Sequence, residues 1–207
     1  MRTTKRNPYR PDFYDNTVCA TPGGAVVWAE RRDRNGAGLW RLDAAARRWR
    51  ALPLRGELPA QSPDHHGLAY DSKRNRLLFF SNLGQHKGDV AAYDFRTGKA
   101  QWLNAGGKGT AAVPSRETVY LPEADAVLVG AHVEVDGKLL WPLYDCAKNA
   151  WWGAKLAGTD PVGKGSFNNS MGLMFDPGRQ LVWAVGQNGH LFVLRFDAKQ
   201  ATLHPLR

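Results

Sequence analysis

The chain has few of the residues that usually indicate a particular chemistry. It contains only two cysteines in 207 residues, which is too few for a disulfide framework or a cysteine-based metal site. Cys19 and Cys146 fall at different points of different segments, so we expect two free thiols, buried or half-buried. The patterns GxSxG, HExxH and CxxC are absent. The sequence therefore carries no common signature of serine-hydrolase, zinc-protease or thiol-redox catalysis.

Long apolar runs are absent as well. No stretch approaches the ~20 apolar residues that a transmembrane helix requires. Residues 1–16 are polar and lack the apolar core of a signal peptide. We therefore predict no membrane span and no signal peptide, and the compartment stays open. No segment shows a sustained helical period with caps, so the sequence also gives no support to a helical fold.

Acidic residues are outnumbered by basic ones. The chain has 19 Asp and Glu against 28 Lys and Arg, a formal net charge of +9. This charge would attract anionic partners. The basic residues are dispersed, however, and no aromatic residues are interleaved with them in a nucleic-acid-binding pattern. We predict a solvated basic surface, and nucleic-acid binding is disfavoured.

A repeat is the strongest positive signal. Segments 40–54, 91–105, 142–156 and 193–206 share the same pattern, and each carries one aspartate at the same point. These marker aspartates are spaced by 51, 51 and 52 residues: Asp43, Asp94, Asp145 and Asp197. A fixed period of this length indicates tandem copies of one supersecondary unit.

Each repeat contains four short apolar runs of four to seven residues, bounded by Gly, Pro, Asp and Asn. This pattern is typical of strands joined by tight turns. Runs such as 77–80 and 126–129 are apolar on both faces, which predicts strands buried between neighbouring units. We predict an all-β protein, a β-propeller of four-stranded antiparallel blades. The four blades cover approximately residues 15–54, 66–104, 117–156 and 170–206.

The chain resembles kelch-type propellers. Tyr144 is followed at Trp151 by the aromatic partner that kelch blades use to pack the third strand on the fourth, and Leu42 and Trp49 have the same spacing. The resemblance covers nearly the whole chain, with Ala100 as a departure in the second repeat. It implies the propeller fold and leaves the function open.

Blade number leaves two alternatives. Four blades are at the low end of the known range of about 4–8. Either the four blades close into a ring, or the chain forms part of a larger ring. We favour the second alternative. In the second case the chain would expose two edges that need partners, through self-association or through missing blades.

Long links are predicted on one face of the propeller, around the channel mouth, and loops on a rigid scaffold often carry function. The residues entering each first strand are polar in every blade and could bind a polar ligand such as a sugar, although purely structural channels are also polar. These candidates are Asp15, Asn16, His65, His66, Arg116, Glu117, Asn169 and Ser170.

Two further candidates lie in equivalent links. Lys108 belongs to GKGT and Lys164 to GKGS, where backbone amides, a cation and a hydroxyl could hold a carboxylate, sulfate or phosphate. The alternative is a turn inherited by repeat duplication.

Histidines and carboxylates give weaker signals. His65 and His66 are adjacent and point to opposite faces of a strand. His86, His132 and His190 lie at or beside second-to-third strand links, and we expect exposed loop histidines. The loop carboxylates are not paired at an informative spacing. We therefore predict no catalytic residue, no metal site and no cofactor.

Recurrent tryptophans predict packing. Trp28 and Trp183 occupy second strands, and Trp49 and Trp151 occupy fourth strands. Trp141 and Trp152 fall outside this pattern, so one of them could be exposed and stack on a sugar.

Two functions remain. The first is a scaffold that binds a protein, or a polar or anionic small ligand such as a sugar, through the long-loop face. The second is an enzyme acting on a carbohydrate or another polar metabolite at the channel mouth, similar to a mutarotase or lyase.

Overall fold

The computed structural model describes residues 16–30, 37–56, 67–80, 88–107, 117–161, 172–185, 190–197 and 200–206. The regular elements in these ranges are strands, which form four small antiparallel sheets arranged as a four-bladed β-propeller. The predicted fold class is therefore confirmed.

Blades 1 and 2 each use four consecutive strands. In blade 1 these are β1 (Asn16–Thr21), β2 (Gly24–Glu30), β3 (Ala37–Asp43) and β4 (Arg48–Ala51). A two-residue strand, β5 (Arg55–Gly56), then leads into blade 2, formed by β6 (Gly67–Asp71), β7 (Arg76–Phe80), β8 (Val90–Asp94) and β9 (Lys99–Trp102).

Blades 3 and 4 complete the array. Blade 3 contains β10 (Thr118–Leu121), β11 (Ala126–Val129), β13 (Lys138–Asp145) and β14 (Ala150–Ala154), with a short β12 (Val133–Val135) paired to the start of β13. Blade 4 contains β15 (Gly172–Asp176), β16 (Leu181–Val185) and β17 (Leu191–Leu194), and β18 (Leu203–Pro205) follows.

The marker aspartates cap hairpins, which explains why they recur. In blades 1, 2 and 3 the carboxylate accepts hydrogen bonds from backbone amides of the following turn. The amide nitrogens of Ala46, Thr97 and Lys148 lie 2.9, 3.0 and 2.8 Å from the carboxylates of Asp43, Asp94 and Asp145. A short side chain that bonds the backbone two or three residues ahead favours a turn over a continued strand.

Apolar side chains between successive blades form the core. One cluster joins blades 1 and 2, with Trp28 edge-on to Phe79 at 4.9 Å between ring centroids. A second joins blades 2 and 3, with Phe80 5.6 Å from Trp151. A third joins blades 3 and 4 through residues such as Leu128 and Phe192. The fourth cluster of described residues is confined to blade 1.

The fourth strand of blade 4 is where the sequence prediction was wrong. Residues 201–206 were predicted to pair with the third strand of their own blade, but β18 pairs antiparallel with β14 of blade 3, with Leu203 opposite Ala154. After Asp197 the chain turns, because the Asp197 carbonyl accepts the amides of Gln200 and Ala201. Leu206 is then buried in the cluster between blades 2 and 3, which favours this pairing.

Both cysteines are free thiols, as expected, with Cys146 buried and Cys19 half-buried. Burial raises the pKa of the Cys19 thiol to about 11. Within the described ranges, no helix has the length and apolar character needed to cross a bilayer.

Candidate functional site

Most of the ligand-binding candidates from the sequence fall outside the described residues. These are Asp15, His65, His66, Lys108, Arg116, Lys164, Asn169 and Ser170. Asn16 and Glu117 are described, and they lie two blades apart. Asn16 begins β1 opposite Ala29 of β2.

Glu117 ties neighbouring inner strands together. Its Oε2 accepts a hydrogen bond from the amide of Leu173 in blade 4 at 3.4 Å. On the other side of β10, the Thr118 hydroxyl donates to the carbonyl of Leu68 in blade 2 at 3.0 Å. The polar start of the first strand in blade 3 therefore links three consecutive blades, a role that the sequence did not predict.

A partly buried network connects blades 2 and 3 at the tight turns between first and second strands. Arg74 donates from both terminal nitrogens to the two carboxylate oxygens of Asp125, each at 2.8 Å. It also bonds Asp71, which is fully buried and accepts from Arg76. The Arg74 guanidinium holds the pKa of the Asp125 carboxyl below its usual value. A bidentate pair of this kind fixes the angle between blades as well as stabilising them.

Blade 4 repeats half of this network. Arg179 lies three residues after Asp176, as Arg74 lies three residues after Asp71, and bonds that carboxylate at 3.0 Å. The Arg179 side chain is 72% exposed, whereas that of Arg74 is 33% exposed because it reaches the next blade.

The sheet face of blade 4 turned away from blade 3 is apolar and carries several exposed side chains. We call it the open face. Met174, Trp183 and Val193 lie opposite one another across β15, β16 and β17, and Val185 and Leu191 form the next row. Met174 and Leu191 are 61% and 62% exposed. In blades 1, 2 and 3 the face turned to the next blade is buried, as shown by Trp28, Leu78 and Leu128.

A cleft of about 1220 Å³ lies between the ends of blades 3 and 4. One wall is the edge of β17 and the residues that follow it, including Leu194 and Phe196. The other wall is the link after β14, including Ala157 and Gly158. Apolar side chains from both blades, among them Leu128, lie at the cleft.

A histidine–carboxylate pair lies on the long-loop side of blade 3. His132 Nε2 is 2.6 Å from Asp160 Oδ2, and the Trp141 indole nitrogen donates to the same carboxylate at 3.3 Å. His132 was expected to be exposed, but its side chain is only 12% exposed. Trp141 is buried, and Trp152 is half-buried. Asp160 gave no sequence signal because it follows His132 by 28 residues, with no periodic relation to it.

No grouping of three or more His, Cys, Asp or Glu side chains suited to a metal ion occurs within the described ranges.

Sequence comparison identifies no relatives for this chain: no protein-family model matches it, and no curated protein does. The fold is similar to solved structures. Over 92% of the chain it matches TolB from Acinetobacter baumannii, with a TM-score of 0.52 and 13% identity, covering 43% of that protein. It also matches a 6-phosphogluconolactonase-like protein from Bacteroides uniformis over 92% of the chain, with a TM-score of 0.52 and 14% identity, covering 53% of that protein. The chain thus spans about half the length of these structures, and the likeness is one of fold alone.

Proposed function

We propose that the chain is a protein-binding scaffold whose open face docks a β-sheet of a partner polypeptide. The observation that carries the proposal is the apolar row of Met174, Trp183 and Val193, in which Met174 and Val193 are 61% and 50% exposed and Trp183 is half-buried. In blades 1, 2 and 3 the equivalent face is buried against the next blade. Contiguous exposed apolar surface of this kind marks interaction sites.

The three blade interfaces within the chain define the chemistry of the partner. Each interface packs one apolar sheet face on another, and blade 3 also offers Asp125 to Arg74 of blade 2. A partner for blade 4 would therefore present an apolar sheet face with a carboxylate placed to reach Arg179.

A second copy of this chain supplies such a surface less well. On the face of blade 1 that would meet blade 4, Val27 and Trp40 are buried, at 0% and 4% exposure, and Val18 in the same cross-strand row is 53% exposed. The first turn of blade 1, residues 21–24, has the sequence TPGG and offers no carboxylate to Arg179. We therefore assign the open face to a different polypeptide.

Site-specific crosslinking tests the proposal. The photoreactive residue p-benzoylphenylalanine replaces Val193 in the full chain, which is crosslinked in the cells that make it, and the crosslinked peptides are identified by mass spectrometry. We expect one other polypeptide, joined through a strand segment near an Asp or Glu. Met174→Lys should abolish the crosslink, because it places a charge in the apolar row.

Val18→Lys is the matched control. Val18 is also an exposed apolar residue of a first strand, at 53%, but lies on blade 1. It should leave the crosslink intact. Crosslinks only within the chain or to a second copy, or equal effects of the two lysine variants, would contradict the proposal.

Two sequence predictions remain proposals. We propose that the chain belongs among kelch-like propellers, on the strength of the 51-residue repeat and the Tyr144–Trp151 pair. We also keep the long-loop face as a site for a polar or anionic ligand, which substitutions at Lys108 and Lys164 would test by titration with phosphate and simple sugars.

The second candidate function is the carbohydrate-acting enzyme, favoured by the His132–Asp160 pair. A carboxylate 2.6 Å from an imidazole nitrogen orients that ring, as general-base catalysis requires. Because one structural neighbour is 6-phosphogluconolactonase-like, hydrolysis of sugar lactones is the assay to choose. Activity that His132→Gln removes while the melting temperature is unchanged would favour the enzyme. Activity absent from the unmodified chain, or kept by His132→Gln, would count against it.

A further inference from the structure

We propose that the cleft between blades 3 and 4 is a strand-binding slot, which takes an extended peptide segment of a partner protein as the fourth strand of blade 4. The proposal goes beyond docking on the open face, because the segment would pair with the edge of β17 and not with its face. Either proposal can therefore fail alone.

Blades 2 and 3 show what fills the equivalent space. In blade 2 the fourth strand, β9, pairs antiparallel with β8 on one side and parallel with β5 on the other. In blade 3 the fourth strand, β14, pairs antiparallel with β13 on one side. On its other side it forms a parallel bridge from Ala150 to Gly106 and then pairs antiparallel with β18. The fourth strand is thus held between its own third strand and the link arriving from the preceding blade.

Blade 4 has both walls of this arrangement. β17 pairs with β16 along one edge, and within the described residues no strand pairs with its other edge. The arriving link contains Ala157 and Gly158, which lie 51 residues after Gly106 and Gly107. Both walls line the same cleft. An unpaired strand edge is a template for a further strand.

Three glycines at the repeat spacing show that the link after β14 lacks a neighbouring backbone that the two earlier links have. Gly56, Gly107 and Gly158 all have left-handed backbone, with φ of +87°, +78° and +90°. A Cβ on Gly56 would collide with the carbonyl oxygen of Ala100 in the fourth strand of blade 2. A Cβ on Gly107 would collide with the carbonyl oxygen of Leu206, which follows β18, and would lie 3.5 Å from the Cβ of Trp151 in the fourth strand of blade 3. A Cβ on Gly158 would meet nothing within 4 Å. The first two glycines are therefore tightly packed against a neighbouring backbone, and the third has the same conformation beside open space.

The side chains at the cleft indicate the sequence that fits. In blade 3, Trp151 of the fourth strand packs on Tyr144 and Phe80, with centroids 5.3 and 5.6 Å away. The residue of blade 4 equivalent to Tyr144 is Phe196, which lines the cleft with Leu128 of the preceding blade. The segment should therefore carry an aromatic or large aliphatic residue facing Phe196, with backbone hydrogen bonds to β17 supplying much of the affinity.

A peptide derived from this chain serves as the probe. It is a fluorescein-labelled, amidated peptide with the sequence of residues 148–155, KNAWWGAK, which spans the fourth strand of blade 3. We expect saturable binding to the full chain by fluorescence anisotropy. Hydrogen exchange should show new amide protection within residues 190–197.

Gly158→Ala is the decisive variant. Its Cβ has free space in the unoccupied slot but would collide with the backbone of an inserted strand, as at Gly56. We expect at least a 10-fold loss of affinity. Gly137→Ala is the matched control, because Gly137 also has positive φ, +72°, with nothing within 4 Å, but lies in the β12–β13 turn. It should bind the peptide normally and melt at a temperature similar to Gly158→Ala.

Several results would contradict the proposed strand-binding slot. These are no saturable binding, equal affinity of the two alanine variants, or protection outside residues 190–197. Strong protection of the β17 amides before peptide is added would also overturn it, since the chain would then fill its own slot. Met174→Lys should leave peptide binding unchanged, so loss of the open-face crosslink and loss of the slot are separate outcomes.

Discussion

At the scale of single residues, Trp151 joins the two largest blades. It is buried, packs on Tyr144 within blade 3 and on Phe80 of blade 2, and its indole nitrogen donates to the carbonyl of Gly88 at 2.9 Å. The sequence predicted its packing role from recurrence, but the hydrogen bond to blade 2 joins residues 63 positions apart and had no sequence signal.

Substitution of Trp151 should separate these contributions. We expect Trp151→Ala to destabilise the protein by about 3–5 kcal/mol, as for other large-to-small core changes. Trp151→Phe keeps an aromatic ring and loses the hydrogen bond to Gly88, so its cost should be smaller, about 1–3 kcal/mol. Denaturant unfolding measures both, and an unchanged midpoint for Trp151→Ala would refute the core role.

At the scale of structural elements, an ion pair between Arg74 and Asp125 joins the first-to-second strand turns of blades 2 and 3. We call this ion pair the clamp. Arg74 and Asp125 are half-buried and bidentate, whereas Arg179 and Asp176 form an exposed pair within one turn. The two arginines therefore allow an internal comparison of the clamp with a surface ion pair.

We expect Arg74→Met to cost about 1.5–3 kcal/mol, the range for hydrogen bonds to charged groups. Arg179→Met should cost no more than about 0.5 kcal/mol, because exposed ion pairs contribute little. Urea unfolding at neutral pH compares the two variants. Equal costs would mean that the contact between blades adds nothing to stability.

The clamp should also give the protein an acid-sensitive component of stability. The pKa of Asp125 is lowered in the folded state, first by the hydrogen bonds from Arg74. The resulting stabilisation is complete above the unfolded-state pKa of about 3.9 and is lost as the pH falls through the lower folded value. In Asp125→Asn, the free energy of unfolding should fall less steeply than in the parent chain between about pH 5 and pH 2. A variant that loses stability as steeply as the parent chain would contradict this assignment.

Sequence reasoning succeeded where an element was repeated. Asp43, Asp94 and Asp145 cap the same turn, so their spacing revealed the blades. It failed at β18, because the alternating apolar residues of 201–206 suit the edge of either β17 or β14, and the choice depends on burial of Leu206. The spacing of Gly56, Gly107 and Gly158 was visible in the sequence, but its meaning required the strands beside them.

At the scale of the whole molecule, burial is uneven along the array. Four of the five residues of β7 and of β8 are buried, whereas the residues of β17 alternate between exposed and half-buried. Blade 2 is covered on both faces by described neighbours, and blade 4 on one. This difference predicts a gradient of local stability.

Native-state hydrogen exchange should reveal this gradient. We expect the amides of β7 and β8 to exchange slowest, with β16 and β17 opening at lower free energy. Mass spectrometry of peptic fragments resolves blades 2 and 4. Equal protection in both blades would indicate that the open face is covered in solution.

The pairing of β18 with β14 has a consequence for biosynthesis. β14, the fourth strand of blade 3, pairs with β18 only after Leu203 has been synthesised, because Ala154 lies opposite Leu203. Strands β15, β16 and β17 of blade 4 are translated between these two residues. Blade 2 meets no such delay, since β5 is made before β9. On the ribosome, blade 3 would therefore emerge with part of the edge of β14 unpaired until β18 leaves the exit tunnel. Nascent chains stalled before residue 203 should bind chaperones more strongly than chains stalled after β18.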